Sequence, residues 1–240
     1  MASDLYVTLS GQITMDTRLS TVANNVANMR TAGFRAETVD FGTILSATRR
    51  ETVAFATVGE QHIERQGGPV EATGNPLDVA VVGEGWFGVQ TPGGLAYTRD
   101  GRFSVNEAGD LLTLTGFNVT DDGGAPIALD PARGAIKVSA DGVITQEGVS
   151  AGNLGLFAIA PEAALTRYGD TAVLTDRPAE PIVDRTANGV RQGYREGSNV
   201  NAVQAITELI TVQRAFEYGN TAMRDRSQTL QQAVRTLGAE

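Results

Sequence analysis

The chain has 240 residues, which is long enough to bury a sizeable core, but it contains no cysteine and carries a formal net charge of −9. Without cysteine there are no disulfides, no thiol catalysis and no cysteine-based zinc sites. With 28 acidic residues against 19 basic ones, we expect no clustered basic surface for nucleic acid. No run of about 18 apolar residues occurs, so we expect no insertion into a membrane.

The N-terminal segment, residues 4–30, predicts one long helix because it lacks proline and repeats its side-chain pattern every seven residues. One series is Leu5, Gln12, Leu19 and Val26, and a second, offset by three, is Thr8, Met15, Val22 and Met29. Gly33 follows, and glycine commonly ends a helix in the left-handed conformation. A seven-residue repeat keeps one stripe of a helix against a partner helix.

Three asparagines, Asn24, Asn25 and Asn28, stand beside the second half of this repeat. Asparagine is a mediocre helix former and is costly in a dry contact unless its amide is paired. Two interpretations stay open: a solvated helix face, or amides that hydrogen-bond across a helix–helix contact and fix its register.

The middle of the chain predicts an all-β domain between two connectors. Residues 34–74 lack clear periodicity and predict an extended connector with room for one hairpin. In residues 75–183, short apolar runs alternate with turn sequences such as Asp100-Gly101 and Asp141-Gly142. The predicted strands are residues 77–82, 86–90, 95–99, 103–105, 111–115, 136–138, 143–145 and 154–159. Residues 184–198 predict a second connector.

The last segment, residues 199–240, predicts a second long helix. Either Asn199 or Asn201 is expected to cap its start, and the helix runs to Leu237 with Gly238 just beyond. An apolar residue recurs every seven positions, at Leu209, Phe216, Met223, Leu230 and Leu237. Three residues before the middle members stand Gln213, Asn220 and Ser227, which predict a contact of mixed polarity. The matching repeats predict that the two terminal helices pair.

Three motifs resemble chemical sites but have the wrong context. Residues 83–88 match G-x-G-x-x-G, but a dinucleotide site needs a helix directly afterwards, and here a strand and a turn are predicted. His62 lacks the nucleophile or ligand partners of a catalytic or metal role. The Asp-rich turns lack the ligand spacing of a calcium loop.

No catalytic, cofactor-binding or metal-binding residue is therefore predicted. The rival class is an enzyme or ligand-binding β protein with helical dimerisation arms. It would require a pocket with clustered titratable groups, and the sequence does not indicate one.

Three motifs, in order along the chain, resemble the bacterial flagellar rod and hook proteins. The first is Leu19-Ser-Thr-Val-Ala-Asn-Asn-Val-Ala-Asn28 followed by residues 31–35, and the second comprises residues 73–78, 85–87 and 97–103. The third is Ser198-Asn-Val-Asn201 with residues 213–217, where Phe216 stands in place of the family's usual tyrosine. In its length and in residues 78–86, the chain most resembles a proximal-rod member of this family. A distal-rod member is the alternative.

The predicted fold is α+β. Long N- and C-terminal helices pair as a coiled-coil-like helical domain, and a central antiparallel all-β domain lies between them in the sequence. The predicted boundaries are 1–33 for the first helix, 34–74 for its connector, 75–183 for the β domain, 184–198 for the second connector and 199–240 for the last helix.

The resemblance implies a structural subunit of the flagellar basal-body rod that assembles helically and transmits torque. Its partners would be copies of itself, other proximal and distal rod proteins, and the flagellar type III export apparatus. It would reach the periplasmic rod without a cleaved signal peptide. The predicted assembly interface comprises Leu5, Leu19, Val22, Asn24, Asn25, Val26, Asn28, Met29, Ile206, Leu209, Ile210, Gln213, Phe216, Met223, Leu230 and Leu237.

Overall fold

The computed structural model of the chain describes residues 2–47 and 52–237. In that part it has two helices and eighteen strands. The chain divides into two compact units, of which the helical unit contains Met1–Ala27, Glu37–His62 and Asn201–Glu240, and the β unit contains Asn28–Ala36 and Ile63–Val200. The two ends of the sequence therefore belong to one unit. The α+β prediction, with terminal helices and a central antiparallel β region, is confirmed.

The helical unit is built from two long helices and one hairpin. Its elements are helix α1 (Ala2–Ala27), strands β1 (Glu37–Ala47) and β2 (Thr52–Ile63), and helix α2 (Ala202–Leu237). The cap of α2 is Asn201, whose Oδ1 accepts a hydrogen bond from the backbone N–H of Gln204 at 3.1 Å. Helix α1 ends before the predicted residue 30, because residues 28–30 form turns instead. Within the described residues, neither helix has the length and apolarity needed to cross a membrane.

The β unit contains the other strands and is antiparallel throughout its described pairings. Its strands are β3 (Val70–Ala72), β4 (Val79–Val82), β5 (Trp86–Thr91), β6 (Gly94–Thr98), β7 (Phe103–Val105), β8 (Leu111–Thr113), β9 (Asn118–Val119), β10 (Ile136–Val138), β11 (Val143–Gln146), β12 (Val149–Asn153), β13 (Leu156–Ala158), β14 (Leu165–Tyr168), β15 (Ala172–Thr175), β16 (Glu180–Pro181), β17 (Gly189–Gln192) and β18 (Tyr194–Glu196). The main sheet has the order β14-β15-β6-β5-β9-β8-β7, with β13 paired to β5 and β16.

Strand β5 lies at the centre of this sheet and separates two hydrophobic clusters. Consecutive residues of a strand point to opposite faces. Phe87 accordingly packs on one face with Phe103, at 5.2 Å between ring centroids, while Trp86 belongs to the cluster on the other face with Tyr97 and Phe157. Because both faces are covered, five of the six residues of β5 are buried.

The segment predicted as the second connector contains two strands. Strand β17 pairs with β4, and β18 pairs with β3. The chain leaving the β unit therefore runs antiparallel to the chain entering it. Residues 189–196 have neither the apolar alternation nor the β-branched content that marks a strand in sequence, so only their pairing reveals them.

A buried ion cluster, here called the Glu196 cluster, joins Arg35, Arg99, Trp86 and Glu196. The carboxylate of Glu196 lies 2.5 Å from Nη2 of Arg35 and 3.0 Å from Nη1 of Arg99. Both guanidinium carbons stand 5.5 Å from the centroid of the Trp86 ring. The side chains of Arg35 and Glu196 are only 1% and 2% exposed. Burial lowers the pKa of the Arg99 guanidinium, and the carboxylate of Glu196 opposes that shift.

The Glu196 cluster fixes the segments that follow α1 and precede α2 in the sequence. The backbone N–H of Gly33 donates to the carbonyl of Glu196 at 2.9 Å. Asn199 accepts a hydrogen bond from the N–H of Ala36 at 2.7 Å through its Oδ1 and donates its own N–H to the carbonyl of Phe34 at 3.3 Å. Both segments belong to the β unit, so the paths into and out of the helical unit are held against each other.

Replacing Glu196 with alanine is expected to lower the free energy of unfolding by roughly 3–5 kcal/mol, because two buried guanidinium groups would lose their carboxylate. The measurement is urea unfolding followed by the fluorescence of Trp86, which lies in the cluster and is the one tryptophan of the chain.

The matched control is Glu71→Ala, which removes an exposed pair in which Arg195 Nη2 and Glu71 Oε2 are 3.0 Å apart. Exposed pairs contribute about 0–1 kcal/mol. Equal losses in the two variants would contradict the role assigned to Glu196.

Candidate assembly interface on the terminal helices

Helices α1 and α2 pack against each other in antiparallel directions. Gln12 Nε2 donates to Asn220 Oδ1 at 2.6 Å, and Arg18 Nη2 donates to Glu208 Oε1 at 2.8 Å. Moving forward along α1 from Gln12 to Arg18 thus means moving backward along α2. The two terminal helices are therefore in contact, and their coiled-coil-like pairing stays a prediction.

The face of α2 that is turned inward combines small and large residues. Ala205 and Val212 are buried and Gly219 is half-buried, and these three stand seven residues apart. Each is followed four residues later by a half-buried member of the predicted series, Leu209, Phe216 and Met223. The seven-residue spacing of Ala205, Val212 and Gly219 is visible in the sequence but was not part of the prediction.

The polar residues of α2 have different environments. Asn220 reaches across to α1, whereas Gln213 is exposed and donates to Glu217 on its own helix at 3.2 Å. The side chain of Ser227 lies outside the described part. Mixed polarity in the helix contact is therefore supplied by Asn220 rather than by Gln213.

The inward face of α1 contains hydroxyl groups as well as apolar side chains. Thr14, Thr21 and Val22 are buried. The hydroxyls of the two threonines donate to backbone carbonyls four residues earlier, at 2.9 and 3.0 Å, so they are satisfied within the helix. Leu19 and Val26 are half-buried beside them.

Asn25 binds the hairpin rather than the second helix. Its Nδ2 donates to the carbonyl of Glu37 at 2.8 Å, and its Oδ1 accepts from the N–H of Glu37 at 2.9 Å. Asn24 Nδ2 lies 3.4 Å from the Glu37 carboxylate. Asn28 lies in the β unit, where its Oδ1 accepts from the Thr31 hydroxyl at 3.0 Å. Asn25 therefore fixes the first residue of β1 on α1.

The helical unit also exposes two separate apolar patches. The α1 patch consists of Tyr6, Leu9 and Ile13, and the α2 patch consists of Val203, Ile206 and Ile210. Because Arg18 meets Glu208 and Gln12 meets Asn220, the α2 patch lies alongside the C-terminal half of α1. The two patches therefore lie toward opposite ends of the helix pair. Exposed apolar patches on a soluble chain mark interaction surfaces.

The predicted interface residues thus fall into several environments. Ile206 and Ile210 are exposed, and Val22 is buried. Met29 is half-buried in the turn after α1. The side chains of Leu5, Leu230 and Leu237 lie outside the described part of the chain. The sequence analysis did not select Tyr6, Leu9, Ile13, Val203 or Tyr218, although the spacings 6-9-13 and 203-206-210 are those of one helix face.

The motifs that resembled chemical sites in the sequence, residues 83–88 and His62, have structural surroundings. Residues 83–85 form the turn between β4 and β5, with φ of 84° at Gly83 and 145° at Gly85, and residues 86–88 are the first residues of β5. The prediction of a strand after the turn is confirmed, but the prediction of a tight hairpin is wrong because β4 pairs with β17 and not with β5. His62 Nε2 lies 3.1 Å from Asp40 Oδ2 across the hairpin. Among the residues that the structure describes, no group of three or more His, Asp or Glu side chains is placed to hold a metal ion.

Comparison with known proteins matches three flagellar families along the chain. Residues 5–35 match the family described as flagella basal body rod protein, residues 80–146 match the flagellar hook protein FlgE/F/G D1 domain, and residues 191–236 match the flagellar basal body rod FlgEFG protein C-terminal. These are the regions that carried the resemblance in the sequence.

Relatives that match over nearly their full length also come from flagellar rods. The chain is 44% identical to the flagellar basal-body rod protein FlgF of Mesorhizobium japonicum over 240 residues, which is all of both chains. It is 44% identical to FlgF of Rhizobium meliloti over 238 residues, 99% of each chain. Identity to the rod protein FlgG of Agrobacterium fabrum is 33% over 244 residues, covering 89% of this chain and 91% of that one. The chain belongs to the FlgF family of flagellar basal-body rod proteins and is a structural subunit of the rod.

Proposed function

We propose that this rod subunit occupies the proximal rod, where it assembles helically with copies of itself and with other proximal and distal rod proteins to transmit torque. Its terminal helices would pair as a coiled-coil-like core. The β domain predicted at residues 75–183 would stiffen the subunit. The subunit works as a mechanical part and not as an enzyme.

The observation that carries this proposal is the pair of unlike apolar patches on one helical unit. A helical shaft requires heterologous contacts, in which one surface of a subunit meets a different surface of the next. The α1 patch and the α2 patch differ in residues and in position, so a contact between the α1 patch of one copy and the α2 patch of the next can repeat along a shaft. The remaining predicted interface residues, including Leu19, Asn24, Asn25, Asn28 and Met29, belong to the same proposal.

The route to the rod is part of the proposal. The subunit would leave the cytoplasm through the flagellar type III export apparatus, without a cleaved signal peptide, and assemble in the periplasm. The lack of cysteine suits a compartment in which exposed thiols are oxidised.

A distal-rod position is the second candidate, since the chain is 33% identical to a FlgG protein over 244 residues. The experiment that separates the two positions is deletion of the gene, followed by electron microscopy of purified basal bodies. A rod that stops before its distal segment supports the proximal position. A complete rod without a hook supports the distal position, and intact flagella would refute both.

Replacing Ile210 with aspartate is expected to abolish motility while leaving the monomer folded. Ile210 is 46% exposed, so the free chain tolerates a charge there, whereas an assembled contact would have to bury it. Losing the burial of isoleucine alone costs roughly 1.5–3 kcal/mol, which is at least about tenfold in binding. The measurements are circular dichroism of the purified chain and its abundance in isolated basal bodies.

The control is Gln231→Asp, which introduces the same aspartate side chain at another exposed position of α2. It is expected to leave motility intact. Normal swimming of the Ile210→Asp strain would show that the α2 patch takes no part in assembly.

A further inference from the structure

A cleft of about 230 Å³ opens in the helical unit between α1, the start of β1 and α2. Small-molecule sites are usually larger, at roughly 300–1,000 Å³. A volume of this size suits one large side chain better than a metabolite. The cleft is lined by, among others, Arg18, Val22, Asn25, Phe41 and Glu208.

The cleft combines apolar, aromatic and charged groups. Val22 is buried, whereas Phe41 is 40% exposed. The guanidinium carbon of Arg18 lies 5.7 Å from the centroid of the Phe41 ring, and the same guanidinium pairs with Glu208. Aromatic rings stack on guanidinium groups and against other rings, and a carboxylate accepts a hydrogen bond from a hydroxyl. An aromatic ring that carries a hydroxyl, which is a tyrosine side chain, matches this set of groups.

Tyr218 on α2 has the exposure that such an occupant needs. It is 74% exposed, and its neighbours on the helix face, Arg214, Ala215, Thr221 and Ala222, are exposed and include no large apolar residue. Tyr218 is therefore the one large apolar side chain among the residues three and four positions away on this face. Tyr6, at 61% exposure, belongs instead to the continuous α1 patch with Leu9 and Ile13. Tyrosine is enriched in protein–protein interfaces because its ring is apolar and its hydroxyl is polar.

Tyr218 cannot fill the cleft of its own molecule. Glu208 lines the cleft, and ten residues of helix separate it from Tyr218, which is about 15 Å along the axis. That distance is greater than a tyrosine side chain can reach. The occupant must come from a second molecule.

We infer that Tyr218 of one copy inserts into the cleft between α1, β1 and α2 of a second copy. The ring packs beside the Arg18 and Phe41 pair, and its hydroxyl donates to the carboxylate of Glu208. Donor and acceptor surfaces lie on different parts of the same chain, so each copy offers one tyrosine and one cleft, and the contact propagates. This inference rests on the proposed assembly into the rod.

The direct test places the photo-crosslinking residue p-benzoylphenylalanine at position 218, in a strain whose chromosomal copy encodes only that variant. This residue keeps an aromatic ring at the tyrosine position. After irradiation, basal bodies are purified and cross-linked peptides are identified by mass spectrometry. We expect a product of twice the chain mass in which position 218 is joined to the segment containing Thr38–Phe41. The same substitution at the exposed position Gln228 is the control and is expected not to join that segment.

The outcomes separate the two proposals. If the variant is present in basal bodies but cross-links to another protein, to another segment or to nothing, the tyrosine–cleft contact is refuted while the rod assignment stands. If the wild-type chain is absent from purified basal bodies, the proposed assembly fails and the inference fails with it.

A mutational test does not depend on cross-linking. Tyr218→Ala is expected to lower the abundance of the chain in basal bodies by about tenfold or more, as for aromatic hot spots, and Tyr218→Phe by less because it keeps the ring. Phe41→Ala should produce a similar loss, and the double variant should be little worse than either single one. Thr221→Ala, one turn from Tyr218, should match the wild type. A wild-type abundance of Tyr218→Ala would overturn the inference.

Discussion

Two arginine side chains share the carboxylate of Glu196 inside the β unit, and the path of the whole chain depends on that contact. Arg35 comes just after the first helix, and Glu196 comes just before the second. Gly33, Phe34 and Ala36 on one segment hydrogen-bond to Glu196 and Asn199 on the other. The paths into and out of the helical unit are therefore adjacent. If the segments after α1 and before α2 were attached to separate parts of the β unit, neither segment would fix the position of the other.

The helical unit keeps several apolar side chains exposed on its outer faces, in addition to those buried between its two helices. Its inner contact uses the buried residues Ala205 and Val212 and the polar pair of Gln12 and Asn220. Its outer faces retain valine, isoleucine and tyrosine side chains. Polar groups in the inner contact fix the alignment of the helices, while the apolar groups outside remain available to other molecules. One helix pair thus separates the folding of a monomer from the joining of monomers.

Sequence patterns predicted the long elements well because each rests on a local repeat. The heptad of Leu209, Phe216 and Met223 marked α2, and turn residues such as Asp141-Gly142 marked strand ends. Long-range contacts were not predictable in this way. Arg35 and Glu196 are 161 positions apart, and no local signal links them. Strands β17 and β18 and the attachment of Asn25 to Glu37 depend on partners distant from the periodic patterns. The residues predicted from the repeat, such as Leu209 and Phe216, lie half-buried on the inward face of α2, whereas the exposed residues Ile206 and Ile210 lie off that repeat.

The position of Glu196 so late in the sequence also sets the order in which the molecule can form. Because the chain is synthesised from its N-terminus, Arg35 and Arg99 are present early, but both must wait for their carboxylate. Strands β3 and β4 likewise wait for β18 and β17. The β unit cannot close until nearly all of the chain before the last helix has emerged. Contacts so distant in sequence form slowly because the intervening loop must first be closed. The same residue that links the segments after α1 and before α2 therefore delays closure of the β unit until most of the chain has been made.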